Sequence, residues 1–209
     1  MSEIVIAIDG FSSTGKSTVA RRLAKELGYI YVDTGAMYRA VTYFALQNGL
    51  IANDKVDKQE LISQLNDIQI TFKFNKTVGI AEVYLNGNNI ESDIRTLKVS
   101  QHVSHIAEIS EVRRKLVEQQ QLMGKDKGVV MDGRDIATVV FPDADLKIFM
   151  TASAETRATR RYKELLQRGH NLSYDDVLKN VVTRDKIDST REDSPLVKAV
   201  DAIEFDNST

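Results

Sequence analysis

The chain has 209 residues, with 28 basic and 30 acidic side chains for a formal net charge of -2, and no cysteine. Near-balanced charge gives no uniform positive field of the kind that holds nucleic acid, and the lack of cysteine excludes a disulfide framework and a thiolate zinc site. The length suits one large domain or a core with insertions. The apolar runs are too short to span a bilayer, and Met1-Ser2-Glu3 lacks the basic lead and apolar stretch of a signal peptide, so a cytoplasmic protein without membrane contact is expected.

The first element is the short, nearly unbroken apolar run 4–8, which reads as a strand buried on both faces of a parallel sheet. Directly after it, Gly10-Phe11-Ser12-Ser13-Thr14-Gly15-Lys16-Ser17 follows the spacing G-x-x-x-x-G-K-[ST], flanked by Asp9 and Thr18. That spacing wraps backbone N–H groups around an anion, sends the Lys16 ammonium to the outer phosphates and leaves the Ser17 hydroxyl for Mg2+. Val19, Leu23 and Leu27 continue at helical spacing until Gly28, so the phosphates would meet the positive end of a helix over Lys16–Leu27. Gly10, Ser12, Ser13, Thr14, Gly15, Lys16, Ser17 and Thr18 are therefore the expected ATP-binding set.

Further strands are expected at 29–32, 129–131, 146–150 and 202–205, and helices at 36–47, 111–123, 154–168 and 174–189, with Gly124 and Gly169 as stops and Ser173 with Asp176 as a capping box. This alternation predicts an α/β fold with a five-stranded parallel sheet flanked by helices. Between 68 and 90 the pattern changes: Ile68-Gln69-Ile70-Thr71-Phe72-Lys73-Phe74 alternates, Glu82-Val83-Tyr84-Leu85 follows, and Asn86-Gly87 is a strong hairpin turn. A small antiparallel β insertion is expected there.

Three clusters narrow the chemistry. Asp33-Thr34-Gly35-Ala36-Met37-Tyr38-Arg39 opens a helix after the second strand and carries an arginine able to grip a phosphate with two parallel hydrogen bonds. Asp132-Gly133-Arg134-Asp135 follows the strand 129–131, at the carboxyl end of the sheet where ligands of open α/β folds sit. Arg157, Arg160 and Arg161 share one helix face, and Arg184, Asp188 and Arg191 share a face of the next, which together suit a closing arginine lid over a migrating phosphoryl group. The plainer reading of each lid arginine is a solvated helix face balanced by Glu155, Glu164 and Asp185.

The runs from Asp9 to Thr18, from Asp33 to Arg39, and from Asp132 through Ile136-Ala137-Thr138-Val139-Val140-Phe141-Pro142 together resemble the bacterial cytidylate kinase family over nearly the whole chain. The resemblance implies a P-loop NTPase of the nucleoside monophosphate kinase type, moving the γ-phosphoryl group of ATP to CMP or dCMP with Mg2+ as cofactor. It implies one unit with a core at 1–35, 105–153 and 192–209, a monophosphate-binding region with the β insertion at 36–104 and a helical lid at 154–191. By resemblance Arg39, Arg134 and Arg191 hold the CMP phosphate, Thr34 stands beside them where many relatives have serine, Ser104, Arg113 and Asp135 read cytosine, and Arg184 with Asp188 reach the ribose. The catalytic set expected is Lys16, Arg157, Arg160, Arg161 and Asp132, with Ser17 on Mg2+ and Asp33 or Asp132 acting through its waters. The chain stops at Asp206-Asn207-Ser208-Thr209, where the family usually continues into a final helix, so a trimmed chain with an incompletely enclosed adenine side is expected. A monomer acting on small nucleotides completes the picture.

Two rival readings stay open at this level. A nucleotide-regulated switch would use the same phosphate loop, although Asn75-Lys76-Thr77-Val78 puts valine where a guanine-reading motif needs aspartate. A kinase for another acceptor, such as UMP, AMP or a hydroxyl metabolite, would keep the reaction and change the substrate. His102, His105 and His170 lack metal-ligand spacing and read as ordinary helix or loop residues, and Tyr29, Tyr31, Phe44 and Phe149 read as core.

Overall fold

The structure, a computed structural model, describes residues 3–75 and 80–209, without the side chain of Ile80. Its first half runs β1 (Val5–Gly10), α1 (Lys16–Leu27), β2 (Ile30–Asp33), α2 (Thr34–Gln47), β3 (Ile51–Ala52), β4 (Lys55–Val56), α3 (Lys58–Ser63), β5 (Ile70–Asn75), β6 (Ile80–Leu85) and β7 (Asn88–Asn89). There follow α4 (Leu97–Ala107), α5 (Ser110–Met123), β8 (Val129–Gly133), β9 (Leu146–Thr151), α6 (Ala154–Gln167), α7 (Tyr174–Thr190) and β10 (Ile203–Asp206). The chain forms two compact units, one from the residues up to Val32 with Gln120–Thr209 and the other Asp33–Gln119.

The first unit holds the five-stranded sheet, in the order β10-β9-β1-β8-β2. β1 pairs in parallel with β8, Val5 opposite Val129, and with β9, Ile6 opposite Leu146, while β9 pairs in parallel with β10. Every residue of central β1 is buried, which is why its run is apolar on both faces. Ile6, Ile8, Val130 and Met150 pack with Ala20 and Ala24, whose small side chains bring α1 close to the sheet. At the end of β1 a Cβ on Gly10 would lie 2.1 Å from the Met150 carbonyl oxygen, and the glycine's φ of 143° is one that L side chains rarely adopt. This close approach places the phosphate loop directly over the carboxyl ends of the strands.

The helix limits follow local chemistry. Gly28, at φ 70°, closes α1 by donating its N–H to the carbonyls of Ala24 and Lys25. The Ser153 hydroxyl caps α6, and the Ser173 hydroxyl accepts the Asp176 N–H at 3.1 Å at the start of α7. One element departs from its propensity: Ile136–Val140, largely β-branched, winds into a short turn of helix with i to i+5 bonding rather than a strand. Its cause is a tertiary cap, because the Asp9 carboxylate accepts the N–H groups of both Ile136 and Ala137 at 2.9 and 2.8 Å.

The second unit holds the antiparallel sheet β5-β6-β7, with Ile70 opposite Leu85. Asn86 and Gly87, at φ 49° and 84°, form the left-handed turn that Asn-Gly favours between β6 and β7. A further two-stranded hairpin, β3-β4, turns on Asn53 and Asp54 at φ 49° and 59°, a turn without glycine that the sequence pattern did not reveal. Helix α2 begins on Asp33, whose carboxylate accepts the Ala36 N–H at 2.9 Å, and it packs against α4. Lys76, Thr77 and Val78 of the rejected guanine motif lie outside the described residues.

Candidate active site

In the first unit the loop from Gly10 to Ser17 runs from β1 into α1. Left-handed backbone at Ser13, φ 61°, and at Gly15, φ 97°, turns successive N–H groups toward one concavity at the helix start. Lys16 is buried and folds across this loop, donating from Nζ to the Phe11 carbonyl at 2.6 Å. Burial, and then the nearby Arg134, lowers the Lys16 pKa well below the usual lysine value, opposed by the carboxylates of Asp132, Asp9 and Asp188. An anion of phosphate type beside Nζ would act in the same sense as those carboxylates and favour the charged ammonium.

The strand β8 ends on Asp132, whose two oxygens take different donors. The Ser17 hydroxyl donates to Oδ2 at 3.0 Å and the Tyr31 hydroxyl to Oδ1 at 2.7 Å. Tyr31, read from the sequence as core, thus orients the carboxylate, and its position two residues before Asp33 gave no sign of it. The hydroxyl of Ser17 and the carboxylate of Asp132 are hard oxygen donors of the kind Mg2+ takes, with water and phosphate oxygens filling the remaining positions. Among the described residues no three His, Asp or Glu side chains group closely enough to hold a metal by themselves. The donor set therefore fits Mg2+ carried in with a polyphosphate.

Next to it, Arg134 donates from Nε to Asp188 Oδ2 at 2.9 Å. Burial opposes the charge on both groups, yet each holds the other ionised: Asp188 raises Arg134, and Arg134, followed by Arg184, lowers Asp188. Arg191 lies 4.0 Å from the other Asp188 oxygen and donates from Nε and an Nη to the Ser194 carbonyl. Asp188, assigned by resemblance to the ribose, is thus the carboxylate that joins two of the arginines assigned to the acceptor phosphate. Arg184 lies one turn earlier on α7. Asp135, also buried, occupies the joint between Arg134 and the short helical turn, with its backbone carbonyl accepting from Val139 at 2.9 Å.

The α6 arginines divide by position. Arg157 is buried, stacks 5.2 Å over the Phe11 ring, donates to the Ala152 carbonyl and pairs with Asp185 at 2.7 Å. Arg160 reaches the loop itself, donating to the carbonyls of Thr14 at 3.4 Å and Asn207 at 2.7 Å. Asn207 in turn donates from its amide to the Thr14 carbonyl at 2.7 Å, a tie to the loop unseen in the sequence. Arg161 pairs with Glu164 on its own helix at 3.0 Å. Thus Arg157 and Arg160 lie against the loop, while Arg161 shows the solvated-face pairing.

Asp9 sets the other side of this region. Burial raises its carboxyl to about 6, with Asp135 adding to the rise and the two backbone N–H bonds and Lys16 opposing it. A folded-state value above the usual 3.8 means that the folded chain binds this proton more readily than the unfolded one. The stabilising contribution of protonated Asp9 is complete below 3.8 and is lost as pH rises through about 6. Urea unfolding of the wild type and of Asp9→Asn should therefore show the wild type losing stability relative to the variant between pH 4 and 6. A pH-independent difference would contradict it.

In the second unit Asp33 is committed to arginines. Its Oδ2 accepts from Arg39 at 2.8 Å and from Arg95 at 3.0 Å, and burial, which alone would raise its pKa, is outweighed by Arg39 and then Arg95, which hold it far below the ordinary carboxylate range. Of the two acids named for the metal's waters, Asp132 adjoins Ser17, while Asp33 caps α2 and joins two guanidinium groups. Thr34 is buried in the first turn of α2 and Ser104 is buried on α4. Arg113 is almost fully buried, donates to the Ala107 carbonyl at 3.0 Å and has its guanidinium 5.4 Å from the Tyr38 ring centre. Such burial sets Arg113 apart from an arginine on a solvated helix face. Arg95 was missed, though Glu91 four residues before it was a legible pairing signal.

Comparison with known proteins agrees with these motifs. The family model described as "Cytidylate kinase" matches residues 6–209. A cytidylate kinase of Flavobacterium johnsoniae is 69% identical over 208 residues, covering 100% of this chain and 90% of that protein. Those of Bacteroides fragilis and Porphyromonas gingivalis are 57% and 54% identical, covering 100% and 98% of this chain and 91% and 89% of theirs.

Proposed function

The chain belongs to the cytidylate kinase family, and from that premise we propose that it transfers the γ-phosphoryl group of ATP directly to CMP and dCMP, giving CDP and dCDP. A phosphate oxygen of the monophosphate attacks the γ-phosphorus in line as the bond to the β–γ bridging oxygen breaks, and ADP leaves. The acceptor is already an anionic oxygen, so no covalent protein nucleophile and no strong general base is needed. Positioning and neutralisation of charge carry the catalysis.

The observation that best supports this reading is the grouping of the Lys16 loop, the Ser17–Asp132 pair and the Arg134–Asp188 pair around the carboxyl end of one sheet. In the proposed roles Gly10 to Thr18 wrap the ATP phosphates, Lys16 and Arg160 face the transferring group, and Arg157 supports the loop through Phe11 and Asp185. Mg2+, when bound by Ser17 and the waters of Asp132, supplies neutralising charge to the polyphosphate. Arg39, Arg134 and Arg191 act on the acceptor phosphate, Thr34 adds a hydroxyl there, Asp188 and Arg184 act near the sugar, and Ser104, Arg113 and Asp135 read the base. A cytoplasmic monomer is part of the proposal, and among the described residues no helix is long and apolar enough to cross a membrane.

One assay tests the reading: ADP release with ATP and Mg2+ against CMP, dCMP, UMP, AMP and GMP. CMP and dCMP should be the preferred acceptors, and ADP should not form at a comparable rate without one. Acceptor-independent hydrolysis would point to a nucleotide switch, and preference for another monophosphate would replace the substrate while keeping the reaction.

A further inference from the structure

The start of α2 contains a charge arrangement that the motifs alone do not explain. Arg39 is the cation that the sequence offered there for an acceptor phosphate, yet its guanidinium lies on the Asp33 carboxylate at 2.8 Å. Alone, that pair would be close to neutral, and its carboxylate would repel an incoming phosphate dianion. Arg95 draws on the same carboxylate. Its Nη1 donates to the same Asp33 oxygen at 3.0 Å, while its Nε and Nη2 donate to Glu91 at 2.9 and 2.7 Å. One carboxylate is thus shared by two guanidinium groups, and Arg95 is itself fixed by a fork on its other edge.

Geometry supports the same point. A Cβ on Gly35 would lie 3.1 Å from an Arg39 Nη and 3.2 Å from Asp33 Oδ1, so the helix start is cut back where the guanidinium folds over it. The Asp33 side chain is only 12% exposed, with Arg39 at 20% and Arg95 at 27%. Burial weakens the charge on Arg95, but Asp33 and then Glu91 more than restore it.

We propose that Arg95 is a positioning residue for the acceptor phosphate, acting through Asp33 to fix the Arg39 guanidinium. The proposal rests on the reading of Arg39 as a phosphate-binding residue. It also gives Asp33 a role as a guanidinium clamp rather than a metal ligand.

The test compares wild type, Arg95→Met, Arg95→Lys, Arg39→Met and the Arg39→Met/Arg95→Met double variant, with KM for CMP and for ATP, CMP binding by calorimetry without ATP, and thermal midpoints. Arg95→Met should raise KM and the dissociation constant for CMP about tenfold, the scale of one charge-assisted hydrogen bond, while KM for ATP stays within about twofold. Arg95→Lys, which keeps the charge but cannot fork between Asp33 and Glu91, should fall between the two. In the Arg39→Met background the Arg95 change should add little, because the residue it positions is gone. Asp33→Asn should weaken CMP without raising the Mg2+ concentration needed for half-maximal rate. The proposal is overturned if CMP constants are unchanged in both Arg95 variants, if ATP is weakened as much as CMP, or if the Arg95 penalty persists in full without Arg39. A wild type that does not phosphorylate CMP would overturn the functional reading instead, a result separable from all of these.

Discussion

Lys16→Ala is expected to lower turnover about a thousandfold with the fold intact. In the proposed role, the size follows from removing a preorganised positive donor where charge develops on the transferring phosphoryl group, in a region where Lys16 is only 5% exposed. Intact folding follows from the local nature of its contacts, since Nζ donates to Phe11 and Thr14 of its own loop. Burial already disfavours the ammonium, so deleting it relieves a desolvation cost, and urea unfolding should change by less than about 1 kcal/mol. Steady-state turnover with saturating ATP and CMP, beside the urea midpoint, checks both halves. Near-normal turnover would remove this loop from the catalytic centre.

How far the sequence reached can be argued from particular elements. The central strands β1 and β8 were legible because each is a buried, largely apolar run bounded by turn residues, and the ends of α1 because Gly15 and Gly28 are the residues that tolerate its terminal conformations. Propensity failed at 136–140, where β-branched residues suggest extension and Asp9, more than a hundred residues earlier, imposes a helical turn by accepting two N–H groups. The turn of β3-β4 was illegible because Asn53 and Asp54 adopt left-handed backbone without glycine. At the candidate site, spacing groups residues that lie within one contiguous motif, such as Lys16 and Ser17. It does not identify partners brought in by tertiary folding: Tyr31 on Asp132, Asn207 on Thr14 and Arg95 on Asp33. Equal-looking arginines also meet different partners, for Arg160 meets the loop and Arg161 meets Glu164 on the same helix.

Asp135→Ala should collapse the preference for CMP over UMP, and mainly by damaging CMP. Asp135 is 3% exposed, and the backbone that follows it is held: its carbonyl accepts from Val139 at 2.9 Å, and the next two N–H groups are bound by Asp9. A buried carboxylate carried on a held backbone is an acceptor placed before the base arrives. Cytosine presents an exocyclic amine at the position where uracil presents a carbonyl, so in the proposed role Asp135 gains a hydrogen bond from one base and faces a repelling oxygen from the other. A site built on buried polar groups penalises the mismatched analogue far more than a hydrophobic pocket penalises a missing methyl group. Wild-type kcat/KM should therefore favour CMP by roughly ten to several hundred fold, or about 1.4 to 3.5 kcal/mol. In Asp135→Ala the donor of CMP loses its partner while UMP loses a repulsion, so CMP should fall and UMP hold or rise. Equal use of both nucleotides by the wild type, or equal slowing of both by the variant, would show that Asp135 shapes the short helical turn and does not read the base.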